Sequence, residues 1–482
     1  MDKSGSTSAP TSGRGGSSGA PSSPELLLPD WDPAQPRRAQ LEAGLREAIR
    51  GGRLRPDTRL PSSRALAAEL GVSRRLVVET YEQLAAEGYL LARRGAGTVV
   101  APRTAADRSA AGGPLPSPAP VPAPVEGIDL FPGAPDLSLF PRRAWARSLR
   151  RALAELPDSR LSYGEFAGTT ELRVALAEHL GRVRAAAATP EQVVASGGYQ
   201  QGLRLFCQLV RARGGHRIAV EDPGYPVAGW TIEAERLEAV PVPIDDDGID
   251  VAALAGADPD AVVVTPAHAL PLGAVLAPQR RRQLVAWARE RGALVLEDDY
   301  DAELRYDRGP AGALQGLAPD VVVLAGTVSK TLAPALRLGW LVLPPELVAI
   351  AVTGRTMDDG GGARIEEWAL ADLIAGGGFD RHVRAARQRY REKRAVLLDA
   401  LGAELPDARV RGIAAGLHAV LELPAGAREA EVVAGAAKAG VHLQGLAAFT
   451  RAHPQPPSLV LGYGLPSERQ LREAVGTITR LL

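Results

Sequence analysis

Of 56 basic side chains in this 482-residue chain, only Lys3, Lys330, Lys393 and Lys438 are lysines, which leaves 52 arginines. Lys330 stands apart because Thr327-Val-Ser-Lys330 follows the apolar run VVVLAG, placing a primary amine at a strand end in a loop of small residues. An amine there can be desolvated and reach a carbonyl, the setting for Schiff-base chemistry. Arg337, followed by Leu-Gly, combines with hydroxyls at Thr327 and Ser329 into a set suited to a phosphate dianion. Taken alone, Lys330 also fits a solvated loop lysine.

Three further clusters bear on that amine. ASGGYQQGLRLF sets Gly197 and Gly198 directly before a helical pattern, where backbone amides at the helix N-terminus meet Tyr199 and Gln200 beside an anion; by itself the motif also fits a plain turn. EDPGYP places Tyr225 on a strand-to-loop turn, where its ring can lie against a flat heterocycle or pack in a core. LVLEDDYDAELRY gathers three carboxylates at the end of an apolar strand, a costly arrangement unless something cationic is there. A protonated pyridine nitrogen is such a partner.

The elements that must position these residues alternate. From Leu130 to Leu482, strand-like runs (IAVEDP, AVVVTP, ALVLEDD, VVVLAGT) are separated by alanine- and arginine-rich helical stretches, which argues an α/β domain with a mostly parallel sheet. Residues 128–482 are expected to form it, as a large part over about 160–345 and a small part mainly over 346–482. Upstream, residues 1–30 are Ser/Gly/Pro-rich and predict a disordered tail, 31–100 turn globular, and 101–127 read as a Pro/Ala linker. Apolar residues make up 45% of the chain and the 56 acidic side chains balance the basic ones, so a large core is available and net charge says nothing of partners. The longest uncharged stretch, Ala261 to Gln279, contains three prolines and Gly273, which excludes a membrane-spanning helix. With no signal-peptide core and one cysteine, Cys207, the sequence points to the cytoplasm. No metal site is expected.

Residues 31–100 hold twelve Arg against eight Asp/Glu, a local excess of +4 that suits a polyanion. Leu41, Leu45 and Ile49 share one helical face. A second helix starts after Pro61 with Ser62 or Ser63 as N-cap and ends at Gly71, and a third starts at Ser73. Helix, Gly-containing turn and helix match helix-turn-helix spacing. Two strands joined by a Gly95–Gly97 turn would then form a wing. That leaves Arg74 and Arg75 at the exposed start of the third helix, where base contacts are made in the major groove, with Arg64, Arg93 and Arg94 suited to phosphate. An ordinary three-helix module with a solvated arginine face is the competing reading.

The run LPSSRALAAELGVSRRLVVETYEQLAAEGYLLARRGAGTVV resembles the winged helix-turn-helix of GntR-type bacterial regulators. By that resemblance Arg64, Ser73, Arg74 and Arg75, with Gly97 and Thr98 at the wing, lie on double-stranded DNA. GTVSKTLAPALRLGW and EDDYDAELRY resemble the fold type I aminotransferases, and the whole chain resembles the MocR subgroup, in which that domain follows the winged helix. The resemblance implies a pyridoxal 5′-phosphate site. Lys330 would carry the cofactor as a Schiff base, Asp298 would pair with the pyridinium nitrogen, and Tyr300 would bond the ring hydroxyl; His268 itself reads either as a helper to Tyr300 or as a satisfied structural histidine. Tyr225 would stack on the ring, while Gly198, Tyr199, Gln200, Thr327, Ser329 and Arg337 would hold the phosphate. Tyr163, in LSYGEFAG, resembles the tyrosine that reaches the phosphate of the neighbouring subunit, which implies a homodimer.

Two departures qualify that likeness. Leu270 stands where aminotransferases carry an asparagine to the ring oxygen. In SLVLGYG, Val460 and Leu461 occupy the places of the arginine that grips a substrate carboxylate, and Val227 offers no charge after Tyr225. Arg451 or His453 could compensate from the preceding loop, with plain surface solvation the competing reading for Arg451. The expected function is a regulator that senses pyridoxal phosphate and controls vitamin B6 synthesis, as PdxR-like members of the subgroup do. The alternatives are a regulator sensing an amine through an external aldimine and a working aminotransferase.

Overall fold

The computed structural model describes residues 31–93, 97–102, 126–306 and 312–482. The tail expected over 1–30, most of the linker over 101–127, and Arg94 and Gly95 of the wing turn lie outside the described residues. The chain divides into two compact units, Met1–Val121 and Pro122–Leu482.

In the first unit, helices α1 (Arg37–Arg50), α2 (Ser63–Leu70) and α3 (Arg74–Ala86) precede an antiparallel pair, β1 (Leu90–Arg93) and β2 (Gly97–Val100). Local chemistry sets the helix boundaries. The Ser62 hydroxyl accepts from the Ala65 amide and the Ser73 hydroxyl from the Leu76 amide, both at 3.2 Å, satisfying donors that a helix start leaves unpaired. Gly71 closes α2 in the left-handed region at φ 61°, which a residue without Cβ reaches at no steric cost. Leu41 and Leu45 of α1 meet Leu66, Val77, Leu84 and Leu90 in a fully buried core.

The second unit is built on an eight-stranded sheet. Its strands after β3 (Ile128–Asp129) are β4 (Val193–Ser196), β5 (Arg217–Asp222), β6 (Glu238–Asp245), β7 (Gly248–Ile249), β8 (Ala261–Val264), β9 (Leu294–Asp299), β10 (Val322–Thr327) and β11 (Gly339–Val342). They lie in the order β4-β11-β10-β9-β8-β5-β6-β7. The central pairs β10/β9, β9/β8, β8/β5 and β5/β6 are parallel, whereas β11 runs antiparallel to both neighbours and β7 to β6. Helices cover both faces. Leu203, Phe206 and Val210 of helix Tyr199–Ala212 pack on one side, and Leu284 and Trp287 of helix Pro278–Arg291 on the other. A sheet buried on both faces reads as continuous apolar runs, hence AVVV at β8 and VVVLAG at β10.

A second lobe holds β12 (Val410–Arg411), β13 (His418–Glu422), β14 (Val441–His442), β15 (Gln444–Gly445) and β16 (Ser458–Gly462). Its sheet order is β12-β13-β16-β15, while β14 pairs in parallel with β3. Packing around residue 346 and at the start of the unit is shared between the two lobes. Leu347, Ala351, Leu370 and Phe379 pack with the large sheet, and Ile128 and Leu130, from the start of the unit, pack with Leu397, Leu421 and Ile478 of the second lobe. The long helix Gly378–Glu404 contributes to both cores.

Candidate functional site

The carboxyl ends of β9 and β10 open into a cavity of about 220 Å³ lined by Pro132, Tyr199, Gln200, Tyr225, Thr265, Leu270, Asp298, Tyr300, Thr327, Ser329, Lys330, Pro334 and Arg337. Ligands in open α/β sheets bind at these strand ends, where loops diverge. Eight of the expected cofactor residues other than Lys330 thus converge with it on one space.

Each is placed by its element. Strand alternation turns Asp298 to the cavity and its neighbours Glu297 and Asp299 to the opposite face. The three clustered carboxylates therefore have separate partners. Arg184 Nε bonds Asp299 Oδ2 at 2.8 Å, and Glu297 accepts the amides of Leu314 and Gln315 at 3.0 and 2.9 Å. Asp298 is left with an Oδ1 that is buried and has no hydrogen-bond partner among the described residues. Burial pushes its carboxyl well above the usual carboxylate range; the Tyr199 hydroxyl pulls against that rise, and Asp299, Asp301 and Glu221 add to it. Burial likewise pulls the Lys330 amine below its ordinary value, partly offset by the carboxylates of Asp301 and Asp298.

At the other end of the cavity the groups suit an anion. Gly198 precedes helix Tyr199–Ala212 at φ 89° and ψ −179°. A Cβ there would come within 3.0 Å of Arg337 Nη2, so only glycine lets the guanidinium lie against this helix start. Arg337 also bonds the Gly197 carbonyl at 2.5 Å. Thr327 Oγ1 and Ser329 Oγ lie 2.9 Å apart. Gln200 Oε1 accepts from the Thr231 hydroxyl at 3.1 Å. The Tyr199 and Tyr225 rings lie 6.3 Å apart between centroids, tilted by 59°.

Two expected cofactor residues lie away from this space. His268 does not line it: it is buried behind Tyr300, with Nδ1 at 2.8 Å from Asp301 Oδ2, while the Tyr300 hydroxyl donates to the His268 carbonyl at 3.0 Å. Its ring stands 5.0 Å from that of His418, whose imidazole burial drives down to about 3, helped by His268. Tyr163 is 89% exposed and lines a separate cavity of about 530 Å³ with Arg160, Arg364 and Trp368. The compensating cations proposed for a ligand carboxylate are committed elsewhere: Arg451 to Glu233 at 2.7 Å and His453 to Asp222 at 2.9 Å. Val460 and Leu461 are fully buried in β16.

Sequence reasoning missed Pro132, Thr265 and Pro334 in the lining, and Glu221 behind Thr265. The Thr265 amide donates to Glu221 at 3.1 Å, and its hydroxyl also bonds that carboxylate. Burial lifts Glu221 to about 7 against these bonds. An acidic residue ending a buried strand was the available signal.

On the helix-turn-helix unit, Arg64, Ser73, Arg74 and Arg75 are all exposed on α2 and at the start of α3. The Arg75 side chain is 89% exposed and pairs with Glu79 at 2.7 Å. Arg74 Nε reaches Ser63 Oγ at 3.4 Å. Gly97, at φ 84°, begins β2 beside the Arg59 guanidinium, and Thr98 follows it.

The residues present fit pyridoxal phosphate. The orphaned, buried Asp298 oxygen wants a cationic hydrogen-bond donor such as a pyridinium, a half-buried amine with a lowered pKa suits an aldehyde, and the Gly198–Arg337 end suits a phosphate. A winged helix-turn-helix joined to such a cavity defines a DNA-binding transcription regulator with an aminotransferase-like domain.

Comparison with known proteins agrees. Residues 127–477 match the family model for aminotransferase class I and II, and residues 37–100 match bacterial regulatory proteins of the gntR family. The HTH-type pyridoxine biosynthesis transcriptional regulator PdxR of Corynebacterium glutamicum is 35% identical, covering 91% of this chain and 94% of that one. The probable rhizopine catabolism regulatory protein MocR of Rhizobium meliloti is 32% identical over 94% of this chain and 95% of that one. Among solved structures, the Pyrococcus horikoshii kynurenine aminotransferase, crystallised with PMP, is similar at 25% identity and a TM-score of 0.68, covering 74% of this chain and 90% of that one. The chain belongs to the aminotransferase class I and II family and, through its N-terminal segment, to the MocR-type GntR regulators. Pyridoxal phosphate is the cofactor of its larger unit. Among the described residues, no helix is long and apolar enough to cross a membrane.

Proposed function

We propose that this regulator takes pyridoxal phosphate itself as its signal and controls genes for vitamin B6 synthesis. The supporting observation is the committed state of Arg451 and His453, together with buried Val460 and Leu461. The described cavity lining offers no cation for an amino-acid carboxylate apart from Lys330 and Arg337, both claimed by the cofactor. The PdxR relative, a pyridoxine biosynthesis regulator by name, points the same way.

In this reading Lys330 fixes the aldehyde end, and Asp298 keeps a proton on the ring nitrogen. Tyr225 covers one face, Tyr300 is left to bond the ring hydroxyl with His268 holding it from behind, and Leu270 excludes water beside it. Gly198, Tyr199, Gln200, Thr327, Ser329 and Arg337 hold the phosphate. Pyridoxal phosphate supplies an aldehyde for amines and an electron-accepting ring. Tyr163 projects from its own protomer to complete the phosphate site of a second copy, so the working unit is a homodimer. Arg74 and Arg75 enter the major groove, with Arg64, Ser73, Gly97 and Thr98 along the backbone. The cofactor shifts the arrangement of the paired winged helices by its differential affinity for the two arrangements. Footprinting upstream of the protein's own gene, with and without pyridoxal phosphate, tests this: a cofactor-dependent change in protection supports it, and identical protection contradicts it.

The Lys330, Asp298 and Tyr300 grouping also favours a second reading, an active aminotransferase. Amino-group transfer from an amino acid to a keto acid, measured under turnover conditions, separates the two.

A further inference from the structure

Asp222 ends β5 and opens the turn that carries Tyr225 into helix Pro226–Ala234. Its side chain is completely buried, which a carboxylate tolerates only when fully hydrogen-bonded. Among the described residues, all the donors come from one segment of the second lobe. The Arg451 amide donates to Oδ1 at 2.7 Å, and Oδ2 takes the amides of Ala452 and His453 at 2.7 and 2.8 Å and His453 Nδ1 at 2.9 Å.

The same turn is fastened at two more points. The Gly224 amide donates to the Phe449 carbonyl at 3.0 Å, and the Arg451 guanidinium lies against Gly229 on its way to Glu233. Both flanks of Tyr225 are therefore tied to residues 449–453, and Phe449 is itself buried against Val420 and Val460 of the second lobe.

We propose that Asp222 is a positioning residue, holding the Tyr225 ring over the cavity by anchoring its turn to the backbone of residues 451–453. This rests on the pyridoxal phosphate reading above. Lifting the tyrosine off a bound ring requires the anchor to open, so the anchor slows departure of the cofactor. It also ties the ring's aromatic cover to the second lobe, and it uses the very residues that would otherwise meet a ligand carboxylate.

The test compares full-length wild type, Asp222→Asn, Tyr225→Ala and the double variant, each loaded with pyridoxal phosphate. The readout is the rate at which the protein-bound chromophore decays when an apoenzyme traps released cofactor. Asn keeps the volume but turns a donor toward the 451–453 amides, so Asp222→Asn should release cofactor about tenfold faster, as expected for losing charge-assisted bonds. Tyr225→Ala should do likewise, and the double variant should be no faster than Tyr225→Ala, because both changes remove one interaction. Release at the wild-type rate, or effects that multiply as general loosening would, overturns the anchor. Should Asp222→Asn not fold, His453→Ala removes a single side-chain donor: faster release that disappears in the Tyr225→Ala background supports the anchor, and unchanged release overturns it. A wild type that takes up no pyridoxal phosphate would bring down the cofactor reading as well, whereas normal uptake with unaltered release in the variants removes the anchor alone.

Discussion

Asp298 and Lys330 leave the carboxyl ends of adjacent parallel strands, and both line one cavity. The pairing of β9 with β10 places a carboxylate and an amine in the same space without a direct ion pair between them in the described contacts. Each is displaced from its ordinary protonation behaviour by burial, as expected of groups poised for a ligand rather than for each other.

Asp298→Asn keeps the shape and removes the charge. Pyridoxal phosphate should then bind at least tenfold more weakly, since a hydrogen bond to a charged group contributes about 1.5–3 kcal/mol. The cofactor-free variant should melt no lower than the wild type, because a buried carboxylate oxygen without a partner has been replaced by a neutral group. Absorbance titration and thermal melts read both outcomes; unaltered affinity contradicts the assigned role.

Glu221 gives the cofactor-free protein a pH dependence. Its carboxyl rises from 4.5 to about 7 on folding, so between those values the folded chain holds a proton that the unfolded chain has released. Its contribution to stability is complete below about pH 4.5 and is lost as pH rises to about 7. Asp298, raised in the same direction, acts with the same sign. Urea melts at pH 5 and pH 7 should show a smaller difference for Glu221→Gln than for wild type.

Gly198→Ala introduces a Cβ at φ 89° against Arg337. Left-handed strain of about 1–3 kcal/mol should appear as lower stability, and displacement of the guanidinium as weaker phosphate holding. Affinity for pyridoxal phosphate should fall more than affinity for pyridoxal, measured in parallel titrations.

Arg75→Ala should weaken operator binding by about 1–3 kcal/mol if the residue reads a base, with melting unchanged because its ion pair to Glu79 is exposed. Mobility shifts over a salt series check this. A loss equal for operator and random DNA would make Arg75 a phosphate contact instead.

Much of this architecture was legible where local chemistry decides it. Ser62, Gly71 and Ser73 mark helix ends through their own hydrogen bonds and dihedral angles, so α2 and α3 could be bounded from sequence. The uniformly apolar β8 and β10 announce a sheet covered on both faces. Lys330 was visible through its rarity and its place after a buried strand. The pairing of Asp299 with Arg184, of Asp301 with His268, and of Asp222 with residues 451–453 was not legible. Those partners are distant in the chain and meet only through the tertiary fold, so no local spacing encodes them. Three consecutive acidic residues looked like one cluster until strand alternation split them between two faces. Which sheet helices 345–359 and 364–375 cover was not legible for a related reason: neither carries a local mark of it.

Covalent attachment of pyridoxal phosphate at Lys330 is the central claim, and borohydride reduction of the loaded protein followed by peptide mapping tests it most directly. A phosphopyridoxyl label on the peptide containing Lys330, absent in Lys330→Ala, is the predicted result. Label spread over Lys393 and Lys438, or none on the Lys330 peptide, would contradict it.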